Sequence, residues 1–159
     1  MTVCYLGIGG NLGDSLTIFN KVIEELAQSE NINLQKSSSY YKTKPLDDDN
    51  QPEYLNAVLK IKTELSPYQL LDYLQSLENK YGRVRTENQW DSRTIDLDIL
   101  LFGERRLKSS RLQIPHKEMQ NRDFVLFPLY EIEPDLNIPG LGDIEQLISQ
   151  CENRGMEKI

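Results

Sequence analysis

Apolar and polar residues in the first half of the chain alternate between strand-like and helix-like spacing. Residues 2–8 form an apolar run that ends in glycines, which predicts a buried strand. From Leu16 to Leu26 the apolar positions recur every three or four residues, which predicts a helix after a glycine turn. Residues 33–42 are polar but favour strands, and residues 54–63 are predicted to form a half-buried strand because they alternate from Ala57 to Thr63.

The second half of the chain repeats this order. Ser66 and Pro67 provide an N-cap and a first-turn proline for a helix with a leucine stripe. Residues 94–102 form another predicted strand, a basic segment with strand character follows, and helices are predicted at about 123–131 and from Asp143. This β-α-β-β-α-β order with C-terminal additions predicts an α+β, ferredoxin-like fold with helices on one face of an antiparallel sheet.

Length and composition agree with this prediction. The chain has 159 residues, so we expect a single domain over residues 1–159. Hydrophobic residues make up 38% of the sequence, which excludes collagen-like, coiled-coil and wholly disordered chains.

Charge is distributed unevenly. The net charge of −7 disfavours general nucleic-acid binding, which depends on phosphate neutralisation. Residues 80–93 nevertheless carry four cations against two acids, and residues 104–122 carry six cations against two acids. Such clustering of cationic residues indicates a local anion-binding site, although composition alone leaves solvated surface charge as an equal alternative.

Cys4 and Cys151 lie far apart and have no zinc-type spacing. A reducing cytosol permits such thiols, and we expect a cytoplasmic protein. The sequence has no run of 18 apolar residues and no basic, cleavable leader at its N-terminus, so no membrane association is expected.

Asp96 and Asp98 are the strongest chemical signal. Residues i and i+2 of a strand point to the same side, so the two carboxylates project together. They repel each other unless a cation neutralises them, and hard oxygen ligands of this kind suit Mg²⁺ with bound phosphates. An exposed acidic strand face is the alternative, but Arg83, Arg85 and Arg93 lie just upstream and would neutralise phosphate.

Other common catalytic motifs are missing from the sequence. It has no P-loop, and the glycines at 7–13 do not match the dinucleotide-binding fingerprint. His116 is the only histidine, which makes a zinc site improbable. Its place in the basic segment leaves both a phosphate donor and a structural core histidine open.

Residues 93–99 (RTIDLDI) closely resemble the signature of the 6-hydroxymethyl-7,8-dihydropterin pyrophosphokinases, a family of folate biosynthesis. The resemblance extends from residue 2 to about 139. Other sequence motifs of the family follow in the same order along this chain, at residues 7–13, 54–56, 82–85, 90, 115–116, 121–124 and 128–129.

The resemblance implies an enzyme that transfers pyrophosphate from the co-substrate ATP to the pterin hydroxymethyl group and releases AMP. It implies that Asp96 and Asp98 hold two Mg²⁺ ions, and that Arg83 and Arg93 act with them in catalysis. One ion would activate the substrate hydroxyl, and the other would gather the β- and γ-phosphates.

By the same resemblance, the pterin-binding residues are Thr43, Leu46, Tyr54, Asn56, Trp90 and Phe124. The ATP-binding residues are Gln75, Glu78, Arg85, Trp90, Arg93, Ile99, Arg111, His116, Lys117 and Arg122. From pattern alone, Tyr54 and Phe124 could equally be core residues, and Glu78 a solvated helix acid. Lys117 stands where the family commonly has an aromatic residue.

Two other classes of protein remain as alternatives. A ligand-sensing module could use the same scaffold without catalysis, and a metal-dependent nuclease is disfavoured by the net charge of −7. We expect a monomer that binds small molecules and no nucleic acid.

Overall fold

A computed structural model describes residues 1–11, 15–43, 54–81, 95–152 and 156–159. Its strands are β1 Thr2–Asn11, β2 Ile32–Ser37, β3 Tyr41–Thr43, β4 Tyr54–Thr63, β5 Asp96–Phe102, β6 Leu107–Lys108, β7 Gln113–Ile114, β8 Asn137–Ile138, β9 Gly142–Asp143 and β10 Glu157–Lys158. Its helices are α1 Ser15–Gln28, α2 Pro67–Tyr81, α3 Asp123–Ile132 and α4 Ile144–Gln150, with a 3-10 turn at Met119–Asn121. No helix in these ranges is long and apolar enough to cross a membrane.

The main sheet is antiparallel and runs β10-β3-β4-β1-β5, with β2 also paired to β4. The second strand of the predicted order is therefore divided into β2 and β3, which pair with successive parts of β4. Ser38 bridges the break, since its amide donates to the Val58 carbonyl and its hydroxyl accepts from the Val58 amide, both at 2.9 Å. The α+β prediction with this strand order is confirmed.

The two helices of the predicted β-α-β-β-α-β core, α1 and α2, lie on one face of the sheet as predicted, and the C-terminal helices α3 and α4 cover the other face. Side chains of α1 and α2, including Phe19 and Leu74, pack with Leu97 and Ile99 of β5. Helices α3 and α4 pack on the other face, against residues that include Tyr5, Val58, Leu100 and Leu101. Because the central strands carry apolar side chains on both sides, both faces require cover.

The second face is not apolar along the whole length of β5. Leu100 packs among the residues of α3 and α4, but Asp98 and Asp96 continue the same side of the strand beyond it. At that end, the sheet surface is the floor of a cavity rather than part of the core.

Candidate active site

The floor of this first cavity is formed by three adjacent strands. Asp96 and Asp98 of β5 lie opposite Gly9 and Gly7 of β1. Gly9 in turn lies opposite Asn56 of β4. Both aspartates are half-buried, and they line a cavity of about 300 Å³. The predicted carboxylate pair therefore projects into a partly open cavity.

The absence of a side chain at Gly9 leaves space above the sheet in this cavity. A Cβ at Gly9 would lie 2.9 Å from Oδ1 of Asn56, closer than side chains tolerate. Asn56 is only 6% exposed, so its amide has little room to move away. A Cβ at Gly7 would make an ordinary contact of 3.4 Å with Leu100. The missing side chain at Gly9 is thus what leaves space for the Asn56 amide beside the carboxylates.

Aromatic side chains line the same cavity. Tyr54 donates a hydrogen bond to Oδ2 of Asp96 at 3.4 Å, and burial together with the charge of Asp96 raises the pKa of the tyrosine. The phenol therefore stays a neutral donor. Phe124 lines the cavity from the first turn of α3, and the guanidinium carbon of Arg122 lies 5.5 Å from the centre of its ring.

A second cavity, of about 390 Å³, adjoins the first. Asp98 and His116 line both cavities, so the carboxylate pair lies where the two spaces meet. Of the predicted nucleotide ligands, this second cavity is lined by Ile99, Arg111, His116 and Lys117, while Arg122 lines the first cavity.

His116 is fixed to β5 by its backbone, since its amide donates to the Leu100 carbonyl at 3.0 Å. Burial lowers the pKa of the imidazole; the charge of Asp98 acts against this and that of Arg122 acts with it. Within the described residues, the buried Nδ1 atom has no hydrogen-bond partner. A buried ring nitrogen without a partner is uncommon in folded proteins, so the Nδ1 atom marks a local break in the packing around His116.

Two of the predicted phosphate ligands are held by carboxylates. Arg111 pairs with Asp72 at 2.6 Å, and Arg122 pairs with Glu118 at 2.7 Å. Exposed pairs of this kind contribute about 0–1 kcal/mol. A phosphate group can therefore replace either carboxylate at little cost.

Glu78 has a contact that the sequence did not predict. Its Oε2 accepts a hydrogen bond from the Leu97 amide at 2.9 Å, which ties α2 to the residue between the two aspartates. Gln75 is exposed on the same helix and lines neither of the two cavities. Thr43 of β3 donates from its hydroxyl to the Tyr54 carbonyl at 3.4 Å, and so lies beside the aromatic wall.

Five predicted site residues lie outside the described residues. They are Leu46, Arg83, Arg85, Trp90 and Arg93.

The carboxylate pair suits Mg²⁺ by its chemistry. Among the described residues, no group of three or more histidine, cysteine, aspartate or glutamate side chains is placed to hold a metal. Mg²⁺ commonly binds through one or two carboxylates, with substrate phosphates and water completing its shell. Two carboxylates beside two adjoining cavities match that pattern.

Sequence reasoning missed two features of the site. The predicted strand ends at residue 8 and Gly9 was assigned to the following turn, whereas Gly7 and Gly9 both lie within β1 and form the floor. Their spacing of two residues, within an otherwise apolar strand, was the available signal. The bond from Leu97 to Glu78 had no signal in the sequence.

A comparison with family models decides the classification. The model of the 7,8-dihydro-6-hydroxymethylpterin-pyrophosphokinase (HPPK) family matches residues 5–134. The chain belongs to the HPPK family. Members of this family are ATP-dependent diphosphokinases of folate biosynthesis, so the predicted family and enzyme class are confirmed.

Individual relatives agree with this assignment. The chain is 45% identical over 159 residues to the 2-amino-4-hydroxy-6-hydroxymethyldihydropteridine pyrophosphokinase of Haemophilus influenzae, which covers 100% of this chain and 99% of the relative. It is 38% identical over 155 residues to the enzyme of the same name from Pseudomonas aeruginosa, covering 98% and 95% of the two chains.

Solved structures share the fold. A crystal structure of wild-type Plasmodium falciparum HPPK-DHPS matches with a TM-score of 0.74 at 14% identity. The match covers 94% of this chain but only 44% of that longer protein. At this identity, the likeness supports the fold alone, and it confirms the ferredoxin-like architecture of an HPPK domain.

Proposed function

We propose that this chain transfers the terminal pyrophosphoryl group of ATP to the hydroxymethyl oxygen of 6-hydroxymethyl-7,8-dihydropterin and releases AMP. The observation that carries the proposal is the junction of the two cavities. Asp98 and His116 line both spaces, so two substrates can meet beside the carboxylate pair. In the reaction, a bond forms between the pterin oxygen and the β-phosphorus, and the bond from the β-phosphorus to the oxygen of AMP breaks.

The first cavity suits the pterin. Tyr54 and Phe124 offer aromatic faces to a flat heterocycle. The buried amide of Asn56 offers both a donor and an acceptor to the polar edge of the ring. Thr43 supports Tyr54 from the neighbouring strand. Leu46 and Trp90 complete the proposed pterin site on the family resemblance.

The second cavity suits ATP. Ile99 and Leu71 provide an apolar wall for the base, with the guanidinium of Arg111 beside it. His116, Lys117 and Arg122 lie toward the carboxylate pair, where the phosphates would be. The family resemblance adds the phosphate ligands Arg83, Arg85 and Arg93, with Gln75 and Glu78 near the nucleotide.

We infer that Asp96 and Asp98 hold two Mg²⁺ ions. When bound, the metal would neutralise the triphosphate and lower the pKa of the pterin hydroxyl. The chain's own residues position the reactants. Tyr54 orients Asp96 through its hydrogen bond of 3.4 Å, and the bond from Leu97 to Glu78, 2.9 Å long, fixes the strand that carries both carboxylates.

Product analysis tests this proposal. Incubation with ATP, Mg²⁺ and 6-hydroxymethyl-7,8-dihydropterin should yield AMP and the pterin diphosphate. Asp96→Asn and Asp98→Asn should each lower turnover by at least about a hundredfold. Each substitution removes a carboxylate that would hold Mg²⁺, and the metal would neutralise the negative charge on the phosphates in the transition state. Asp135→Asn, at an exposed position, is the matched control and should leave turnover unchanged. Formation of ADP, or binding of both substrates without turnover, would contradict the proposal.

We also infer that the enzyme acts as a cytoplasmic monomer. All groups proposed for the site come from one chain, which supports a monomer. The two free cysteines, Cys4 and Cys151, suit a reducing compartment, and burial raises the pKa of the Cys4 thiol to about 12. Sedimentation velocity at micromolar concentration would test the monomer.

A further inference from the structure

A third cavity lies between the β6-β7 hairpin and the β8-β9 hairpin, with a volume of about 350 Å³. Three cationic side chains line it, those of Arg106, Lys108 and Lys117. No acidic residue is among the described residues that line it. In a chain with a net charge of −7, this is a local concentration of one sign of charge, which favours an anion.

The three cations are also unpaired. Two of the six cations in residues 104–122 are tied to carboxylates, since Arg111 pairs with Asp72 and Arg122 pairs with Glu118. Within the part of the chain that the structure describes, no carboxylate pairs with Arg106, Lys108 or Lys117. Arg106 and Lys108 therefore line only the third of these cavities, whereas Lys117 lines both the second and the third cavity.

Arg106, although exposed, packs against Gly140. Its guanidinium carbon lies 3.1 Å from the position that a Cβ on Gly140 would occupy, so the planar group lies over the bare Cα of that glycine. Gly140 has a φ of +76°, which also favours glycine. The turn of the β8-β9 hairpin thus leaves room for the guanidinium at the cavity wall.

We propose that the third cavity is a second anion site, which binds a small phosphate-bearing molecule. The forked donors of Arg106 match the geometry of phosphate, and Lys108 and Lys117 add point charges. Ile114 and Pro139 give the cavity an apolar wall for an organic portion of the ligand. A volume of about 350 Å³ lies in the range of small-molecule sites.

The site is coupled to the nucleotide cavity through shared residues. Gln113, His116 and Lys117 line both the second and the third cavity. An anion in the third cavity competes with ATP phosphates for the charge of Lys117, so it lowers ATP affinity. By linkage, ATP lowers the affinity of the second anion by the same factor.

Equilibrium dialysis tests the site directly. The protein is saturated with Mg²⁺ and α,β-methylene-ATP, so that labelled inorganic pyrophosphate must bind elsewhere. We expect one pyrophosphate per chain, and a loss of at least tenfold in affinity for the double variant Arg106→Gln, Lys108→Gln. Arg105→Gln is the matched control, since Arg105 is exposed and does not line the cavity; it should retain the affinity.

Competition identifies the ligand class. Stronger displacement of the label by AMP than by unlabelled pyrophosphate assigns a nucleoside monophosphate, and the reverse assigns a free diphosphate. Three outcomes would overturn the proposal: pyrophosphate binding that is abolished rather than weakened once the nucleotide cavity is filled, unchanged affinity in the double variant, or equal displacement by the dicarboxylate succinate. The measurement needs no pterin turnover, so its failure is distinguishable from failure of the proposed function.

Discussion

Replacement of Gly9 by alanine is the most specific structural perturbation of the proposed pterin site. The added Cβ would lie 2.9 Å from Oδ1 of Asn56, 3.5 Å from Cε1 of Tyr54 and 3.7 Å from the Leu55 carbonyl oxygen. Ordinary contacts begin at 3.4 Å, so the Asn56 amide must move by about 0.5 Å or rotate. Asn56 is 6% exposed and cannot turn freely into solvent.

The magnitude follows from two opposing effects. Overpacking of this kind costs about 1–3 kcal/mol, whereas replacing a strand glycine gains about 0.5–1 kcal/mol. We therefore expect Gly9→Ala to lower the free energy of unfolding by about 0–2.5 kcal/mol. A misplaced Asn56 loses its hydrogen bonds to the pterin, which weakens pterin binding by about tenfold or more. ATP affinity should change less than about twofold, because neither Gly9 nor Asn56 lines the second cavity.

Urea unfolding and separate titrations with pterin and α,β-methylene-ATP provide the assay. Gly7→Ala is the matched control, because Gly7 lies on the same strand face and its Cβ would make an ordinary contact of 3.4 Å with Leu100. Its stability should change by less than about 1 kcal/mol. Unchanged pterin affinity in Gly9→Ala, or an equal loss of pterin and ATP affinity, would refute the reasoning.

Three further predictions concern other parts of the molecule. Glu78→Ala should lower kcat by about tenfold with a smaller change in pterin KM, because the Leu97 amide loses its acceptor and the carboxylate-bearing strand is less well fixed. Removal of Mg²⁺ with EDTA should abolish ATP binding but leave pterin binding within about threefold, since the pterin site is built from aromatic and amide groups. The free energy of unfolding should fall as the pH is lowered from about 5 to 3, because the pKa of Glu133 is lowered in the folded protein. The hydrogen bond from Lys60 is the main cause; burial acts against it, and the hydrogen bond from Tyr5 acts with it.

Each of these predictions has its own check. Glu78→Gln keeps an acceptor for Leu97 and should restore most of the kcat in steady-state kinetics; a rate as low as that of Glu78→Ala would argue against the positioning role. Isothermal titration before and after EDTA tests the metal, and ATP binding of equal strength would contradict it. Because the pKa of Glu133 is lowered in the folded protein, the ionised carboxylate stabilises the fold at any pH above its ordinary pKa of 4.5. This stabilisation is lost as the pH falls from 4.5 through the lowered pKa. Glu133→Gln should flatten the acid limb of the stability curve, and an unchanged slope would contradict the assignment.

Local signals predicted most of the secondary structure. The Ser66 cap of α2 is confirmed, since the Gln69 amide donates to the Ser66 hydroxyl at 3.3 Å and the Gln69 side chain accepts from the Ser66 amide at 2.9 Å. The predicted start of a helix at Asp143 is confirmed, and the Asp143 side chain caps α4 by accepting from the Glu145 amide at 3.1 Å. Alternation from Ala57 to Thr63 likewise predicted a strand over residues 54–63, which are β4, although residues 55–59 are buried on both sides of the strand.

Long-range placement could not be predicted in the same way. The apolar side chains of α3, such as Leu126 and Leu129, show that the helix is buried but not which sheet face it covers. The short β8-β9 hairpin has too few residues for any periodicity. Such contacts depend on the order in which whole elements pack, and this order has no local sequence signal.

The candidate site also combines a local feature that the sequence predicts with a long-range contact that it does not. The projection of Asp96 and Asp98 to one side follows from strand geometry and was predictable. The meeting of Asp98 with His116 was not predictable from spacing, because 17 intervening residues separate them and only the packed fold brings them to one cavity. The family resemblance supplied that pairing, and the described residues support it.

Transfer of the pyrophosphoryl group as one unit is the central claim, and isotope tracing in a single turnover tests it most directly. Enzyme in excess is mixed with Mg²⁺, 6-hydroxymethyl-7,8-dihydropterin and ATP labelled with ³²P at either the β- or the γ-position. The account predicts that both labels appear in the pterin product at the same rate and in equal amounts, while α-labelled ATP leaves its label in AMP. Transfer of the γ-label without the β-label would contradict it.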